Sequence, residues 1–277
     1  MQRLPIVSHL YSITYPLRQQ IDIMKKGINI LGLLMIFAGA FSSCNIDEND
    51  NFGQGKIWFG YTTVEKENES DREFRLILDD GTVMDIVQFN ANLAPDVYNL
   101  KDGDRIFAYF SIDFEDRRDE RLYYYIRLNA YQKILTKFPV YNSEVGEEEV
   151  GEDPINVDKS WIGGGFLNVE FHFFAGSKEQ KHLVSLYVIE DHPQADENNI
   201  YVEMRHNAYG DRPHDVAYGA VSFDIRDFLP QEKNVVTVHF TYTNYDGRTI
   251  TTSEAYSRKI VEQRTGGARH FQMGYIY

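Results

Sequence analysis

Short runs of β-branched and aromatic residues, separated by turn residues, recur along the chain and restrict its fold more than any other feature. Asp79-Asp80-Gly81 and Asn244-Tyr245-Asp246-Gly247 each lie between two such runs. Apolar runs on both sides of an Asp-Gly turn are the strongest short-range signal of a β-hairpin. The 19 Tyr and 18 Phe strengthen this signal, because aromatic residues are enriched in strands. The sequence therefore predicts an all-β protein.

The pattern predicts about five strands between residues 55 and 140. That number fits a small closed barrel of the oligonucleotide/oligosaccharide-binding (OB) type, and an open sandwich fits the same evidence. The Tyr123-Tyr124-Tyr125 triplet lies in this unit, and neighbours in a strand point to opposite faces, so at most two of the three rings share a surface. Tyr123 and Tyr125 are the candidates for a platform on which a base or a sugar stacks. Cross-strand packing is the alternative role for these rings.

Six or seven further strands are predicted between residues 154 and 258, which indicates an antiparallel β-sandwich. Between the two units, residues 141–153 are acidic and contain two glycines, as is typical of a linker. Gly163-Gly164-Gly165 permits a bulge or a sharp entry into the strand that follows. The sequence predicts no defined structure for the tail, residues 259–277.

Ahead of the barrel, the stretch from Met24 to Cys44 has the order of a bacterial lipoprotein leader. Two lysines precede an apolar run of 15 residues, and two serines precede the only cysteine of the chain. The run is shorter than the roughly 20 residues that a membrane-spanning helix needs. We therefore expect residues 1–43 to be a cleaved signal peptide, Cys44 to carry a lipid, and residues 44–54 to form a flexible tether.

Met24 is interpreted as the true start of the leader, because residues 1–23 contain two prolines and an Asp that suit a leader poorly. A long basic leader segment is the alternative. The expected location is the outer membrane of a Gram-negative envelope, with the protein lipid-anchored and either exposed on the surface or facing the periplasm.

Charge and cysteine content exclude several classes of function. Residues 1–43 hold four Lys or Arg and one Asp, which leaves 24 basic and 41 acidic residues and a net charge of −17 from Cys44 onward. An acidic protein binds nucleic acid poorly, because the affinity of a protein for nucleic acid comes mainly from its basic side chains. A single cysteine excludes an internal disulfide and a cysteine-rich zinc site.

His206, Asp211 and His214 form the best local cluster for a metal ion, because a loop could bring them together. The alternative is that these are simply the polar residues of a solvated loop. The chain has no Gly-x-Ser-x-Gly nucleophile elbow, no Gly-Lys-Ser/Thr phosphate loop and no His-Glu-x-x-His zinc motif. We therefore expect no catalytic residues and no cofactor.

A set of short motifs resembles the NigD-like lipoproteins over roughly residues 44–258. They are Leu78-Asp-Asp-Gly81, Asp153-Pro154, Trp161-Ile-Gly-Gly-Gly-Phe-Leu-Asn168, Lys181-His182 and Tyr245-Asp-Gly247. The resemblance implies a lipid-anchored start, an OB-like N-terminal domain and a C-terminal β-sandwich. The family is named from a bacteriocin-associated gene cluster, and the resemblance implies no established activity and no catalytic residues.

The expected function is that of a non-enzymatic binding or interaction module, held to the membrane through its N-terminal lipid. Its partner would be a protein, a glycan or a secreted peptide such as a bacteriocin. The alternatives are an immunity factor that neutralises a secreted toxin, an unrecognised envelope enzyme, or passive surface decoration. An interaction module needs an exposed aromatic or apolar patch, whereas an enzyme needs a pocket with perturbed titratable groups.

Overall fold

The computed structural model describes residues 56–68, 73–94, 96–118, 121–176, 180–229, 233–257 and 274–276. Within these ranges the chain is almost entirely β-structure, as the strand-and-turn pattern predicts. It forms a barrel followed by a two-sheet sandwich. Cys44 and the leader lie outside the described residues. In the described part of the chain, no helix is long and apolar enough to cross a membrane.

Among the described residues, five strands form a barrel that closes on itself. They are β1 (Ile57–Glu65), β2 (Arg75–Leu78), β3 (Val83–Phe89), β4 (Arg105–Arg118) and β5 (Arg121–Lys133). Their order is β1-β2-β3-β5-β4, and β4 pairs back onto β1. Only β3 and β5 run parallel within this ring of five strands. The closed ring confirms the OB-like unit, and the turn at Asp79-Asp80 confirms the first predicted hairpin.

Alternation along β4 fills the barrel core, as the period of two along a strand predicts. Ile106, Ala108, Phe110 and Ile112 are all buried. Other strands and the segment before β4 supply the rest of this core: Val64, Leu76, Met84, Val97, Leu100, Ile126 and Leu128. The pairing of β4 with β5 is interrupted by two register shifts, after Tyr109 and after Ile112. Such bulges bend a long ladder around a barrel.

Nine strands in the described part of the chain form the sandwich. They are β6 (Leu135–Lys137), β7 (Val140–Tyr141), β8 (Asn156–Gly163), β9 (Phe166–Ala175), β10 (Leu183–Val188), β11 (Asn199–Asn207), β12 (Asp215–Asp224), β13 (Val235–Thr243) and β14 (Thr249–Ser257). One sheet has the order β14-β13-β11-β10-β7 and the other β6-β12-β9-β8. Alternate residues of β9 (Leu167, Val169, Phe171 and Phe173) are buried in the core that the two sheets share. The predicted β-sandwich is confirmed. Four of its seven pairings are antiparallel, and β6–β12, β7–β10 and β11–β13 are parallel.

The sandwich begins earlier than the sequence indicates, because β6 and β7 join its two sheets. Residues 141–153 also contain a short helix, α1 (Glu147–Val150), whose Val150 is buried. Gly151 follows with φ of +77°, and a Cβ there would lie 2.6 Å from the backbone oxygen of His206. The N–H of Asp153 donates to that same oxygen. Backbone contact thus fixes this acidic segment against β11 of the sandwich.

The last described strand returns to the barrel. β15 (Gly274–Ile276) pairs antiparallel with Ile57–Phe59 of β1. It lies in the tail for which the sequence predicts no structure, since three residues are too few to show a pattern.

Candidate functional site

A buried ion pair lies at the junction of the barrel and the sandwich. Arg105, the first residue of β4, has a fully buried side chain whose Nη1 is 2.7 Å from Oδ1 of Asp79, without the alignment of a hydrogen bond. Arg105 also donates from Nη1 to the Thr63 hydroxyl (3.0 Å) and from Nη2 to Oδ1 of Asn168 (2.9 Å). Buried charges are tolerated only when such partners replace water. The partners come from both domains, so the pair is complete only when the domains are docked.

The sandwich completes the site around the Asp79 carboxylate. Its Oδ2 accepts from the Trp161 indole (3.1 Å) and from the Asn168 amide (3.2 Å). The Ser222 hydroxyl donates to Oδ1 of Asn168 at 2.7 Å, which holds that amide in place. The four side chains belong to the β2–β3 turn, β8, β9 and β12, and all four are buried. They form one continuous polar network inside the junction.

The glycine triplet forms the β8–β9 turn, and this turn lies directly against Asp79. Gly164 has φ of +61° and donates its N–H to the Asp79 backbone oxygen at 3.0 Å. A Cβ at Gly163 would lie 2.7 Å from the Asp79 Cβ, which is closer than two carbon atoms approach. The glycines are therefore needed for close approach of the two domains. The two motifs Leu78–Gly81 and Trp161–Asn168 meet at this contact and fix how the domains are arranged.

Tyr61 connects the polar network to an aromatic cluster. Its hydroxyl donates to Oε1 of Glu170 across the junction at 2.9 Å. Burial, followed by the charge of Glu170, raises the pKa of the Tyr61 hydroxyl far above its usual range. The Tyr61 ring contacts Trp161 edge-on, with ring centroids 4.8 Å apart, and Phe107 in the same manner at 5.0 Å. These contacts close the junction to water on this side.

An aromatic and apolar surface extends from this cluster towards solvent on both domains; we call it the junction surface. It consists of Phe59, Phe107 and Tyr109 on the barrel and Ala220, Tyr218 and Val216 on the sandwich. On the barrel, Phe107 lies 5.6 Å from Phe59 and 5.3 Å from Tyr109 between ring centroids. Phe107 and Ala220 both pack on the Tyr61–Trp161 cluster, which makes the surface continuous across the junction.

On the sandwich, the junction surface becomes increasingly exposed along β12. Tyr218 is 64% exposed and Val216 is 43% exposed. Together with Ala220 they alternate along the strand, so all three lie on one face. Polar groups border them: Nδ1 of His172 lies 2.7 Å from Oδ1 of Asp158, and Nζ of Lys159 lies 4.6 Å from the Trp161 ring centroid. An apolar centre with a charged rim is the usual composition of a protein-binding surface.

The tyrosine triplet behaves as the alternation rule predicts. Tyr124 is buried in the barrel core, while Tyr123 and Tyr125 are partly exposed on the opposite face of β5. Tyr125 is paired with Phe114 of β4, and the two rings stack with centroids 4.1 Å apart and planes 15° apart. Phe114 is 51% exposed. Sequence reasoning missed Phe114, because the bulge after Ile112 determines which β4 residue lies opposite Tyr125.

Two of the three proposed metal ligands come together, through a histidine that the sequence analysis did not include. His182 bridges them: its Nδ1 lies 2.9 Å from Nε2 of His206, and its Nε2 lies 3.1 Å from Oδ2 of Asp211. The far nitrogen of His206, Nδ1, lies 3.1 Å from the backbone oxygen of Pro154. His182 and His206 are buried. The Lys181-His182 motif thus belongs to a chain of hydrogen bonds that ties residues 153–154 to the sandwich.

The acceptors in this chain assign the protons. A carbonyl only accepts, so His206 donates from Nδ1 to Pro154, and its Nε2 then accepts from Nδ1 of His182. Nε2 of His182 in turn faces the Asp211 carboxylate, which also accepts from the N–H of Gly176 at 2.8 Å. Burial lowers the pKa of His206 to about 4, which agrees with its neutral form.

His214 does not join this cluster. Its side chain is 77% exposed and lies beside Asp215, with Nδ1 3.2 Å from the carboxylate. Within the ranges that the structure describes, no group of three or more His, Cys, Asp or Glu could hold a metal ion. The ring nitrogens of His182 and His206 face each other and their hydrogen-bond partners, so they do not converge on a common point.

The fold and the junction define a class of two-domain β-protein in which an OB-like barrel is joined to a β-sandwich through a buried polar network. Residues 137–256 match the family model of the NigD-like C-terminal beta sandwich domain. Residues 137–256 are thus similar to the C-terminal domain of the NigD-like proteins, the family that the sequence motifs indicate. No curated protein sequence matches it.

Solved structures share the fold of both units. A toxin-related protein from Parabacteroides distasonis is 26% identical, with a TM-score of 0.61; the match covers 76% of this chain and 100% of that one. A protein of unknown function from Bacteroides vulgatus is 25% identical, with a TM-score of 0.59, covering 72% of this chain and 90% of that one. A NigD-like immunity protein from Bacteroides caccae is 15% identical, with a TM-score of 0.53; the match covers 72% of this chain and 96% of that one. That last similarity concerns the fold alone.

Proposed function

We propose that this NigD-like protein is a non-catalytic module that binds a protein or peptide partner, with the junction surface as its binding site. The observation that carries the proposal is the exposure of Tyr218 and Val216 next to the aromatic cluster of the barrel. Exposed tyrosines beside apolar residues provide large contact area with a polar tip, and such residues dominate binding energy in protein interfaces.

The ion pair below this surface supports the proposal. Because Arg105 is bonded to Asn168 and Asp79 to Trp161, the two halves of the junction surface are held in one arrangement. A surface that is already ordered loses less entropy when a partner binds. A rigid junction between two domains therefore suits a binding site that spans both.

The partner that we propose is a secreted toxin, which the protein neutralises as an immunity factor. The description of the Parabacteroides distasonis structure as toxin-related and that of the Bacteroides caccae structure as an immunity protein both fit this role. We further propose that a lipid on Cys44 holds the protein at the cell envelope, where it would meet such a toxin.

The proposal is tested by a photo-cross-linking amino acid placed at Tyr218 in cells that make the protein. The matched control is the same amino acid at Val235, which is 49% exposed and lies on the other sheet. We expect one adduct of defined mass at position 218 and none at 235. Val216→Asp, which adds a charge to the surface, should reduce that adduct at least tenfold.

The trapped protein is then produced in cells that lack the NigD-like protein. An immunity role predicts arrest of growth, relieved by the wild-type protein and not by Tyr218→Asp. Equal adducts at positions 218 and 235, or an adduct that Val216→Asp leaves unchanged, would show that the junction surface is not the binding site.

A second candidate function, binding of a glycan, is favoured by the stacked Phe114–Tyr125 pair on the outer face of the barrel. OB-like barrels bind oligosaccharides with the face of their second and third strands and with loops that include the one between the fourth and fifth strands. The stacked pair lies on the two strands that this last loop joins, and exposed rings suit the apolar faces of sugars. A glycan array tests it directly. Phe114→Ala should abolish any glycan-binding signal. Tyr218→Ala should leave that signal unchanged, because Tyr218 lies on the sandwich.

A further inference from the structure

One edge of β1 is only partly covered by the barrel itself. β4 pairs with β1 along Trp58–Thr63. On the opposite edge, β2 pairs only with Thr62–Glu65, and the start of β1 is left to β15. The register places Ile57 opposite Ile276, Trp58 opposite Tyr275 and Phe59 opposite Gly274. The start of β1 therefore accepts an added antiparallel strand.

The strand that now occupies this edge is a minimal one. β15 has three residues, fewer than the five or six of a typical strand, and 16 residues separate it from the end of β14. An uncovered strand edge exposes unpaired N–H and C=O groups that another strand can use. A short strand satisfies these groups with few hydrogen bonds, so a longer strand that pairs with the same residues replaces it at small cost.

The edge is also next to the proposed binding site. Phe59 belongs to the junction surface, and its neighbour Trp58 packs against the barrel core. A strand added beside β1 therefore continues the barrel sheet directly alongside the aromatic rings. Main-chain hydrogen bonds to the edge and side-chain contacts to the rings would then act together, as in other cases of strand addition.

We propose that the start of β1 is a strand-acceptor site, and that an extended apolar segment of the protein partner adds there, antiparallel to β1, in place of β15. This inference rests on the proposed function for the identity of its occupant and deepens it by naming the form in which the partner binds. The acceptor property itself is measurable without the partner.

The test uses the full chain carrying Tyr275→Pro. Proline has no N–H and disrupts strand pairing, so this change should release β15. Hydrogen exchange is then measured for the amides of residues 57–59 that face away from β4. We expect their exchange to become at least tenfold faster than in the wild type. Unchanged exchange would overturn the proposal, because β15 would then not protect this edge.

The probe for the empty edge is a synthetic peptide of residues 270–277, His-Phe-Gln-Met-Gly-Tyr-Ile-Tyr. Added to the Tyr275→Pro chain, this peptide should restore slow exchange at residues 57–59. The same peptide with Pro in place of Tyr275 should not. Adding Ile57→Pro to the chain should prevent the rescue, since Ile57 pairs with β15 and β4 pairing starts at Trp58. A peptide that gives no protection at millimolar concentration overturns the acceptor site.

Light scattering identifies the other possible source of the strand. If the wild-type chain is a dimer and the Tyr275→Pro chain a monomer, the strand is exchanged between copies and the proposal of an external occupant fails. The outcomes are separable from those of the cross-linking experiment. If no adduct forms at position 218 but the peptide still restores slow exchange, the junction surface is refuted as the binding site and the acceptor edge is not. If the adduct forms but the peptide gives no protection, the acceptor edge alone is refuted.

Discussion

Oδ1 of Asp79 and Nη1 of Arg105 lie 2.7 Å apart, with both side chains closed to solvent. Asp79 belongs to the β2–β3 turn and Arg105 begins β4, so the pair first joins two parts of the barrel. Trp161 and Asn168 then join the pair to the sandwich. Because a buried charge without its partner is costly, the docking of the two domains and the pairing of these charges depend on each other.

Arg105→Met should lower the free energy of unfolding by about 3–5 kcal/mol, because it leaves the Asp79 carboxylate buried without its counter-ion. Denaturant unfolding of the wild-type and variant chains measures the difference. Arg75→Met is the matched control, since Arg75 pairs with Glu65 at the surface. Its loss should cost at most about 1 kcal/mol. Equal costs for both variants would show that the junction pair contributes no more than a surface pair.

Gly163→Ala should destabilise the protein by about 1–3 kcal/mol, as other overpacked positions do. The new Cβ would meet the Asp79 side chain at 2.7 Å and force the β8–β9 turn away from the barrel. Gly146→Ala is the control, because no atom lies within 4 Å of a Cβ there. Thermal melting should distinguish them. If the Gly163→Ala chain melts at the same temperature as the wild type, the close approach of the two domains is contradicted.

His206 should make the protein less stable in acid. Its pKa is lowered to about 4 by burial, whereas in the unfolded chain it returns to its usual value of 6.5. Between these values the unfolded state binds the extra proton, so the contribution of neutral His206 to stability is complete above pH 6.5 and is lost as the pH falls towards 4. The shift corresponds to roughly 3 kcal/mol.

Unfolding experiments at several pH values test this, with two glutamine variants for comparison. His206→Gln should flatten the dependence between pH 6.5 and 4. His214→Gln should leave it unchanged, because the His214 side chain is 77% exposed. An identical pH dependence in the wild-type and His206→Gln chains would contradict the assignment of a neutral buried His206.

Cys44→Ala should move the protein from the membrane fraction to the soluble fraction of the cell. The thiol of Cys44 is the group that would carry the lipid, and alanine has no equivalent atom. Fractionation followed by immunoblotting measures the change, with Ser43→Ala as a control that keeps a small residue before the cleavage site. A Cys44→Ala chain that stays in the membrane fraction would refute the proposed anchor.

Local patterns predicted much of the fold, because period-two alternation and Asp-Gly turns act over a few residues. The β4 core positions and the hairpin at Asp79–Gly81 follow from them. The sandwich membership of β6 and β7 does not, since these strands have three and two residues and are positioned by partners far along the chain. The acidic composition of residues 141–153 indicates a linker, but Gly151 and Asp153 contact β11. Composition alone does not reveal these contacts, because β11 lies about 50 residues further along the chain.

The candidate sites likewise combine features that neighbouring residues determine with features that distant residues determine. Alternation correctly separates Tyr124 from Tyr123 and Tyr125, whereas the stacking of Phe114 on Tyr125 depends on a bulge. His206 and Asp211 are close in sequence, but His182, which connects them, is 24 residues from His206. Arg105 is the strongest case, because a charged residue beside a turn is ordinarily exposed. Only the meeting of two domains makes it the most deeply buried charge of the junction.

The pairing of β15 with β1 has a consequence for how the protein would sit on a cell. If Cys44 carries a lipid, only residues 45–56 separate the bilayer from Ile57, and even fully extended they reach roughly 40 Å. The start of β1 and the β15 strand paired with it would then lie close to that height or below it, so a partner strand that binds there would have to come within roughly 40 Å of the bilayer. A tag fused after residue 277 would be held in the same narrow layer.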